Sequence, residues 1–315
     1  MTATLLRRLP MCLLSCLLTC LLTPWLSGCA TLGPPPVAPL LQDALFGHPP
    51  RPAEADQPLL LDDAMRTYLN QQLASGVLRR GQPRMLTEAL YRGSALQLQY
   101  DTSYTRTAAQ AFADRAGNCL SLVLMTAAFA NALGLEVTFQ SAHIDDVFSR
   151  SGRLIMRSGH VNLVLGQRPS SVGSMALSGG HGAQRLQVDF APPDALLGLR
   201  SQPITQATVL AMFMNNRAAE ALLRQRPAEA YAWVRESLHH DAGFWPAFNT
   251  LGVVYQQAGH LAQAAAAYEQ VLARDDHQLA AMANLVQVLQ AQGRHLDADR
   301  WAQRHRQLEP AALPL

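Results

Sequence analysis

Residues 115–134 read RAGNCLSLVLMTAAFANALG, and this stretch decides the fold of the middle of the chain. Apolar residues on nearly every side of the segment predict a buried helix, and Gly134 follows its last turn. Gly117 and Asn118 are turn and cap residues, so we expect Cys119 in the first turn. The unpaired N–H groups and the positive end of the helix dipole favour an anion there, so this position favours a cysteine thiolate.

Two later stretches predict strands that bring a base toward this cysteine. Residues 157–166 read RSGHVNLVLG. Apolar side chains take every second position from residue 161 to residue 165, and His160 directly precedes them, as in a strand with one buried face. Residues 185–190 read RLQVDF and form the second strand, with Asp189 near its end. If the two strands pair antiparallel, His160 at the start of one lies near Asp189 at the end of the other.

This order of residues resembles the transglutaminase-like (papain-like) superfamily over roughly residues 100–193. The residues that carry the resemblance are Cys119 in GNCLS, His160 in GHVNL and Asp189 in VDF. The resemblance implies an α+β domain with a helix packed on an antiparallel sheet, and a catalytic triad of these three residues. Two differences are a longer connection between the strands and the lack of an aromatic residue after the histidine.

The resemblance also implies a reaction at an amide carbonyl. Cys119 attacks the carbonyl to give a thioester, His160 carries the proton, and Asp189 fixes the imidazole. Water as the second acceptor makes the enzyme a peptidase or amidase, which we favour, whereas an amine makes it an acyltransferase. A peptidoglycan amide is an alternative substrate. The oxyanion donor stays open between the Asn118 side chain and the backbone N–H of Cys119.

The segment 1–28 is predicted to be a signal peptide. An arginine pair precedes an apolar run of about 14 residues, which is shorter than the roughly 20 residues that span a bilayer. Residues 26–29 read LSGC and resemble the lipobox of bacterial lipoproteins. That resemblance implies a lipidated Cys29 and an anchor in the outer membrane at its periplasmic face, since Ala30 follows the cysteine. An ordinary secretory signal is the alternative.

The cysteine count singles out one thiol. Of the five cysteines, three lie in the predicted signal peptide, and Cys29 would be blocked by lipid. Cys119 is then a single thiol in a compartment where disulfides are favoured. Such a thiol is either buried and inert or kept for chemistry.

Proline content and charge bound the rest of the organisation. Residues 29–58 contain eight prolines and are predicted to form a semi-rigid extended tether, so the cysteine domain is expected over 59–205. The chain has no lysine. Removal of the signal peptide takes two of the 25 arginines and leaves as many basic residues as the 23 acidic ones. Without a basic field, a nucleic acid is excluded as the expected partner.

The last third of the chain contains a repeat with a period of about 34 residues, which is typical of tetratricopeptide arrays. Leu251 and Leu285 are separated by one such period, as are Gly259 and Gly293. The best unit, residues 245–278, resembles a tetratricopeptide repeat. The positions that carry this resemblance are Leu251, Gly252, Tyr255, Ala264 and Tyr268. It implies an all-α tetratricopeptide-repeat solenoid over 206–315, whose groove binds an envelope protein or peptide or braces the cysteine domain.

No cofactor or metal is expected. His143 follows a predicted strand, His181 lies in a Gly/Ser-rich connection, and the pair His239 and His240 lacks a second pair of ligands at zinc spacing. The sequence has no CxxC, HExxH, GxGxxG or P-loop motif. The predicted function is therefore a membrane-anchored cysteine peptidase or amidase. The alternative is a catalytically inactive repeat scaffold for envelope protein assembly.

Overall fold

The computed structural model describes residues 37–79, 82–91, 96–151, 154–167, 185–190 and 201–308, with the backbone alone over 142–151 and 154–159. The predicted signal peptide, Cys29 and His181 lie outside the described residues, and so does the side chain of His143. All described residues belong to one contact unit, which begins at Pro35.

The described elements are helices, short 3-10 turns and strands. The helices are α1 (Asp63–Ala74), α2 (Pro83–Tyr91), α3 (Ala108–Asp114), α4 (Cys119–Ala132), α5 (Gln206–Leu223), α6 (Pro227–His240), α7 (Trp245–Gln257), α8 (Leu261–Arg274), α9 (Leu279–Ala291) and α10 (His295–Leu308). The strands are β1 (Gln99–Tyr100), β2 (Ala116–Gly117), β3 (Leu135–Ser151), β4 (Leu154–Gln167), β5 (Leu186–Val188) and β6 (Ser201–Ile204). The chain thus has an α+β part followed by a helical part.

Four of the strands form an antiparallel sheet in the order β5-β4-β3-β6. Strands β3 and β4 make a long hairpin in which Ala142 lies opposite His160. Strand β5 lies along β4, with Val188 opposite Leu163. The predicted antiparallel pairing of the strands before Asp189 and around His160 is therefore confirmed.

Helix α4 is the buried centre of the α+β part. Every side chain from Leu120 to Ala130 is buried, because the helix packs on β3 and β4 on one side and on α2 and α3 on others. A helix that is apolar all round needs such cover on all sides. Gly134 follows the helix with a φ of +72°, in the left-handed region that glycine adopts without a steric penalty. The predicted helix is confirmed.

The helical part consists of three helix pairs whose boundaries repeat. Helices α6, α8 and α10 begin at Pro227, Leu261 and His295, and each start lies one full sequence period after the previous one. The starts of α7 and α9 are separated by the same period. The period in the sequence is therefore a period of helix pairs. The predicted domain boundary falls at Thr205, whose hydroxyl caps the first of these helices.

One close approach holds the middle pair together. A Cβ placed on Gly252 of α7 would overlap the ring of Tyr268 on α8, with two of the ring carbons only 2.7 Å away. Glycine is thus the residue that lets the buried tyrosine ring lie against the backbone of the facing helix. The hydroxyl of Tyr268 donates a hydrogen bond of 2.9 Å to Gln256.

The proline-rich segment differs from the expected tether from residue 37 onward. Phe46 stacks on Tyr231 of α6 with ring centroids 4.3 Å apart. Asp43 accepts hydrogen bonds from the Tyr231 hydroxyl at 2.7 Å and from Arg235 at 2.9 Å. An aromatic ring and a carboxylate placed between prolines give the segment two specific contacts, so residues 37–58 pack on the helical part instead of extending away.

No helix in the part of the chain that the structure describes is long and apolar enough to cross a membrane.

Candidate active site

Cys119 is the first residue of α4 and follows directly on the turn after the two-residue strand β2. The residue is partly exposed, and its thiol forms no disulfide. The turn before it is fixed by Asn118, whose side-chain oxygen accepts hydrogen bonds from the backbone N–H and the hydroxyl of Ser121, both at 2.9 Å. Cys119 therefore lies in the first turn of a capped helix, as predicted.

His160 and Asp189 form a buried pair beside the sheet. The Nε2 atom of His160 lies 2.7 Å from Oδ1 of Asp189, and the two side chains are 5% and 8% exposed. A carboxylate can only accept a hydrogen bond, so Nε2 carries the hydrogen and donates it. Nδ1 is then the ring nitrogen that can accept a proton.

The thiol of Cys119 completes this chain of contacts, because it lies beside the imidazole of His160 and interacts with it. Burial lowers the pKa of His160, but the hydrogen bond with Cys119 and the charges of Asp189 and Cys119 outweigh it, so that the pKa lies above its ordinary value. A raised pKa favours the imidazolium form. The structure thus brings together all three residues that the sequence predicts for the triad.

Asn162 is a further member of the site that sequence reasoning missed. It is 1% exposed and donates a hydrogen bond of 2.8 Å from Nδ2 to Oδ2 of Asp189. Both oxygens of the carboxylate are therefore held, one by His160 and one by Asn162. The sequence did contain a signal for Asn162, because His160 and Asn162 are two residues apart on a predicted strand and such residues share a face. The side-chain oxygens of Asn162 and of Gln140, which lies opposite on β3, are buried and have no hydrogen-bond partner among the residues that the structure describes.

Asn118, predicted as a candidate oxyanion donor, is engaged in the helix cap. Its Nδ2 donates to the hydroxyl of Thr105 at 2.9 Å, while its oxygen caps α4 through Ser121. These bonds assign the side chain a structural position in the turn. The backbone N–H of Cys119, the other predicted candidate, lies next to the sulfur by its covalent position.

Tyr100 is the second residue that sequence reasoning missed. Its phenolic hydroxyl lies beside Cys119 and interacts with the thiol and with the backbone N–H of that residue. Burial and the neighbouring Cys119 raise the pKa of Tyr100. Residues 97–103 read QLQYDTS, and nothing in this pattern points to a catalytic site. The contact depends on a two-residue parallel pairing that places Tyr100 opposite Gly117.

The loop between Tyr100 and α3 connects the site to the helical part. Thr105 accepts hydrogen bonds from Asn118 at 2.9 Å and from Asn216 of α5 at 3.3 Å. Its backbone N–H donates to Glu220 of α5 at 2.6 Å. Burial raises the pKa of Glu220 although the bond from Thr105 and the charge of Arg217 act in the opposite direction. The cap of the cysteine helix therefore rests on the first helix of the repeats.

The remaining polar groups do not join the triad. His239 is exposed, and its Nδ1 lies 3.9 Å from Glu236. Among the described residues, one group has three ligand atoms close enough for a metal, namely Asp275, Asp276 and His277 in an exposed turn. Arg304 donates to Asp276 at 2.8 Å.

His239 and Glu236 lie at the wall of an open cavity, which the triad does not line. Its volume is about 1130 Å³, and it lies between residues 37–51 and α6.

Comparison with known proteins adds no relative, since neither a protein-family model nor a curated protein matches the chain. The chemical interpretation therefore depends on the geometry of Cys119, His160 and Asp189. A thiol, an imidazole that can take its proton, and a carboxylate that orients the imidazole are the groups needed for nucleophilic acyl transfer.

Proposed function

We propose that this chain is a cysteine peptidase or amidase of transglutaminase-like type, anchored through a lipid on Cys29 at the periplasmic face of a bacterial outer membrane. The observation that supports the proposal is the order of Cys119, His160 and Asp189, in which the thiol interacts with the imidazole and the imidazole is hydrogen-bonded to the carboxylate. Cys119 is partly exposed, whereas the side chains of His160 and Asp189 are buried. Such a gradient lets a substrate reach the sulfur and keeps water away from the imidazole–carboxylate pair.

The reaction starts with transfer of the thiol proton to Nδ1 of His160. The sulfur of Cys119 then bonds to the carbonyl carbon, and the carbonyl electron pair moves to oxygen. Collapse of this intermediate breaks the bond to the leaving amine, which takes the proton from His160, and leaves a thioester. Water activated by the same imidazole hydrolyses the thioester. Asp189 supports both steps because it holds Nε2–H and offsets the charge of the imidazolium.

The helices α5 to α10 are proposed to be tetratricopeptide repeats. The regular period of the helix starts and the contact of Gly252 with Tyr268 support this assignment. Helices α7 and α9 both contact β4 of the sheet. This contact favours the bracing role for the repeats, and binding of an envelope protein or peptide stays a prediction.

The proposal is tested by alkylation of the native protein with iodoacetamide between about pH 5 and 9. Trypsin cleaves after Arg115 and Arg150, so residues 116–150 form a peptide in which Cys119 is the one cysteine. We expect mass spectrometry to find this peptide alkylated well below pH 8, where an ordinary thiol of pKa about 8.5 reacts slowly. We expect His160→Ala to slow the alkylation most at low pH, because the proton acceptor is lost.

Alkylation of the folded protein only above about pH 8 would contradict an activated thiol. A cellular comparison then decides between the enzyme and the inactive scaffold. If the enzyme proposal holds, Cys119→Ala has the same effect on the producing cell as loss of the whole protein. Full complementation by Cys119→Ala leaves the scaffold function.

A further inference from the structure

Tyr100 is held beside the nucleophile by the backbone. Strands β1 and β2 pair in parallel, with Tyr100 opposite Gly117, two residues before Cys119. The N–H of Asp101 donates to the carbonyl of Gly117 at 3.1 Å, and the N–H of Gln99 donates to the carbonyl of Arg115 at 2.9 Å. Two hydrogen bonds on either side of Tyr100 thus fix its backbone against the turn that leads into the cysteine helix.

The phenolic oxygen of Tyr100 lies near the place that the oxygen of a reacting carbonyl would take. It lies beside Cys119, close enough to interact with both the N–H and the thiol. A carbonyl attacked by this sulfur turns its oxygen toward the same N–H, about 2.7–3.1 Å away. The residue is 56% exposed, so the ring can shift toward solvent when a substrate enters.

We infer that Tyr100 is a catalytic residue that donates a hydrogen bond from its hydroxyl to the oxyanion formed at Cys119. The inference rests on the proposed function. In the acylation step the S–C bond forms, the carbonyl electron pair moves to oxygen, and the thiol proton is on Nδ1 of His160. The new oxyanion accepts one hydrogen bond from the N–H of Cys119 and a second one from the hydroxyl of Tyr100.

Two features of the site fit this role. Burial and the neighbouring Cys119 raise the pKa of Tyr100, so the phenol keeps its proton and remains a donor at neutral pH. The other side chain considered for this role, Asn118, donates its amide to Thr105 and accepts from Ser121. Tyr100 is therefore the side-chain donor that the described residues place at the sulfur in addition to the backbone N–H.

The test compares two probes of the same sulfur in the purified full-length protein. Acetylation by p-nitrophenyl acetate passes through an oxyanion and ejects p-nitrophenolate, whereas alkylation by iodoacetamide displaces iodide and forms no oxyanion. Both rates are read by mass spectrometry on the tryptic peptide 116–150. In Tyr100→Phe we expect the acetylation rate constant to fall about 100-fold, the usual effect of one lost oxyanion donor. The alkylation rate is expected to change less than about threefold.

Tyr104→Phe is the matched control. It removes a hydroxyl four residues away that donates to Asp114 at 2.7 Å, and both rates are expected to match the wild type. Equal losses in both rates of Tyr100→Phe would mean that the hydroxyl acts on the thiol and would overturn the inference. Faster acetylation would also overturn it, because the hydroxyl would then block the site.

The same experiment separates the inference from the proposed function. If Tyr100→Phe acetylates like the wild type while the wild type reacts rapidly, the oxyanion role alone is lost. If the wild-type cysteine reacts with neither probe faster than a free cysteine peptide does, the proposed enzyme is lost as well.

Discussion

Asp189 is the residue that fixes the orientation of the imidazole in the site. Its Oδ1 holds Nε2 of His160, and its Oδ2 accepts a hydrogen bond from Asn162, so the carboxylate has little freedom to rotate. Rigid orientation of the imidazole is worth more than proximity alone, since a catalytic group contributes fully only in the reactive geometry. Asn162 therefore acts on the orientation of the imidazole through Asp189.

Asp189→Asn is expected to lower the pKa of His160. Burial is the largest influence on this group and disfavours the imidazolium, and the carboxylate is one of the groups that outweigh it. Because the wild-type pKa is raised, the protonated ring stabilises the fold below its ordinary pKa, and this contribution is lost as the pH rises through the folded-state value. In Asp189→Asn the titration midpoint of His160, followed by NMR, moves to lower pH.

His160→Gln assigns the resonance, and the other histidines serve as internal controls that keep their midpoints. An unchanged midpoint in Asp189→Asn would show that the charge of Asp189 does not act on the ring.

Some residues of the site could be predicted from the sequence and others could not. Cys119, His160 and Asp189 each lie in a local pattern, a capped helix or a strand, and such patterns are legible without a structure. Tyr100 is different because its position depends on a two-residue pairing with the turn that leads into the cysteine helix. A pairing that short leaves no hydrophobic period in the sequence.

At the scale of elements, the helix pairs depend on complementary volumes. Gly252 on α7 faces the ring of Tyr268 on α8. The equivalent positions of the next repeat hold Val286 and Ala302, so the large and the small residue change sides. A packed interface tolerates best those substitutions in which one helix gains roughly the side-chain volume that the facing helix loses.

Gly252→Ala is expected to destabilise the protein by about 1–3 kcal/mol, because the new methyl group overlaps the Tyr268 ring. Helix propensity alone would predict a gain of about 1 kcal/mol for this substitution. The free energy of unfolding from urea denaturation decides between the two signs. In a Tyr268→Ala background we expect the cost of Gly252→Ala to disappear. A cost that persists there would mean that the contact with the ring is not its cause.

The helix boundaries were within reach of the sequence, since several residues that recur at one common spacing predict a period of helix pairs. The length of the β3–β4 hairpin could not be predicted from the sequence. Its strands extend well beyond the alternating segment around His160, to Ser151 and Leu154. Only part of the hairpin carries the apolar alternation of a half-buried strand, and so only that part was predicted.

In the molecule as a whole, the N-terminal segment contacts helices that are far from it in sequence. Asp43 and Tyr231 are 188 residues apart in sequence and share a hydrogen bond. The hydroxyl of Tyr255 likewise donates to the carbonyl of Leu40 at 2.6 Å. A tether was predicted because composition counts prolines and ignores which surfaces the residues between them meet. No local pattern in residues 37–58 identifies a tyrosine-lined surface on distant helices.

Phe46→Ala is expected to lower the free energy of unfolding by about 2 kcal/mol, roughly half the cost of truncating a fully buried phenylalanine. Phe46 is half-buried and lies against the rings of Tyr231, Tyr255 and His260. For a chain of this size the thermal midpoint falls by about 4 °C. The exposed neighbour Leu45 provides the control, since Leu45→Ala is expected to change stability by less than about 0.5 kcal/mol. Equal midpoints for the two variants would mean that the segment does not stabilise the helices.

The position of Thr105 limits how this protein could be rearranged by recombination. Its hydroxyl accepts from Asn118 at the cysteine helix and from Asn216 in the repeats, and its N–H donates to Glu220. A gene fusion that exchanged the repeats for another set at the junction of residues 205 and 206 would strip this threonine of two partners. The part of the chain around Cys119 therefore cannot be joined to other repeats without loss of these contacts. A new set of repeats would have to supply an amide and a carboxylate at the same two places.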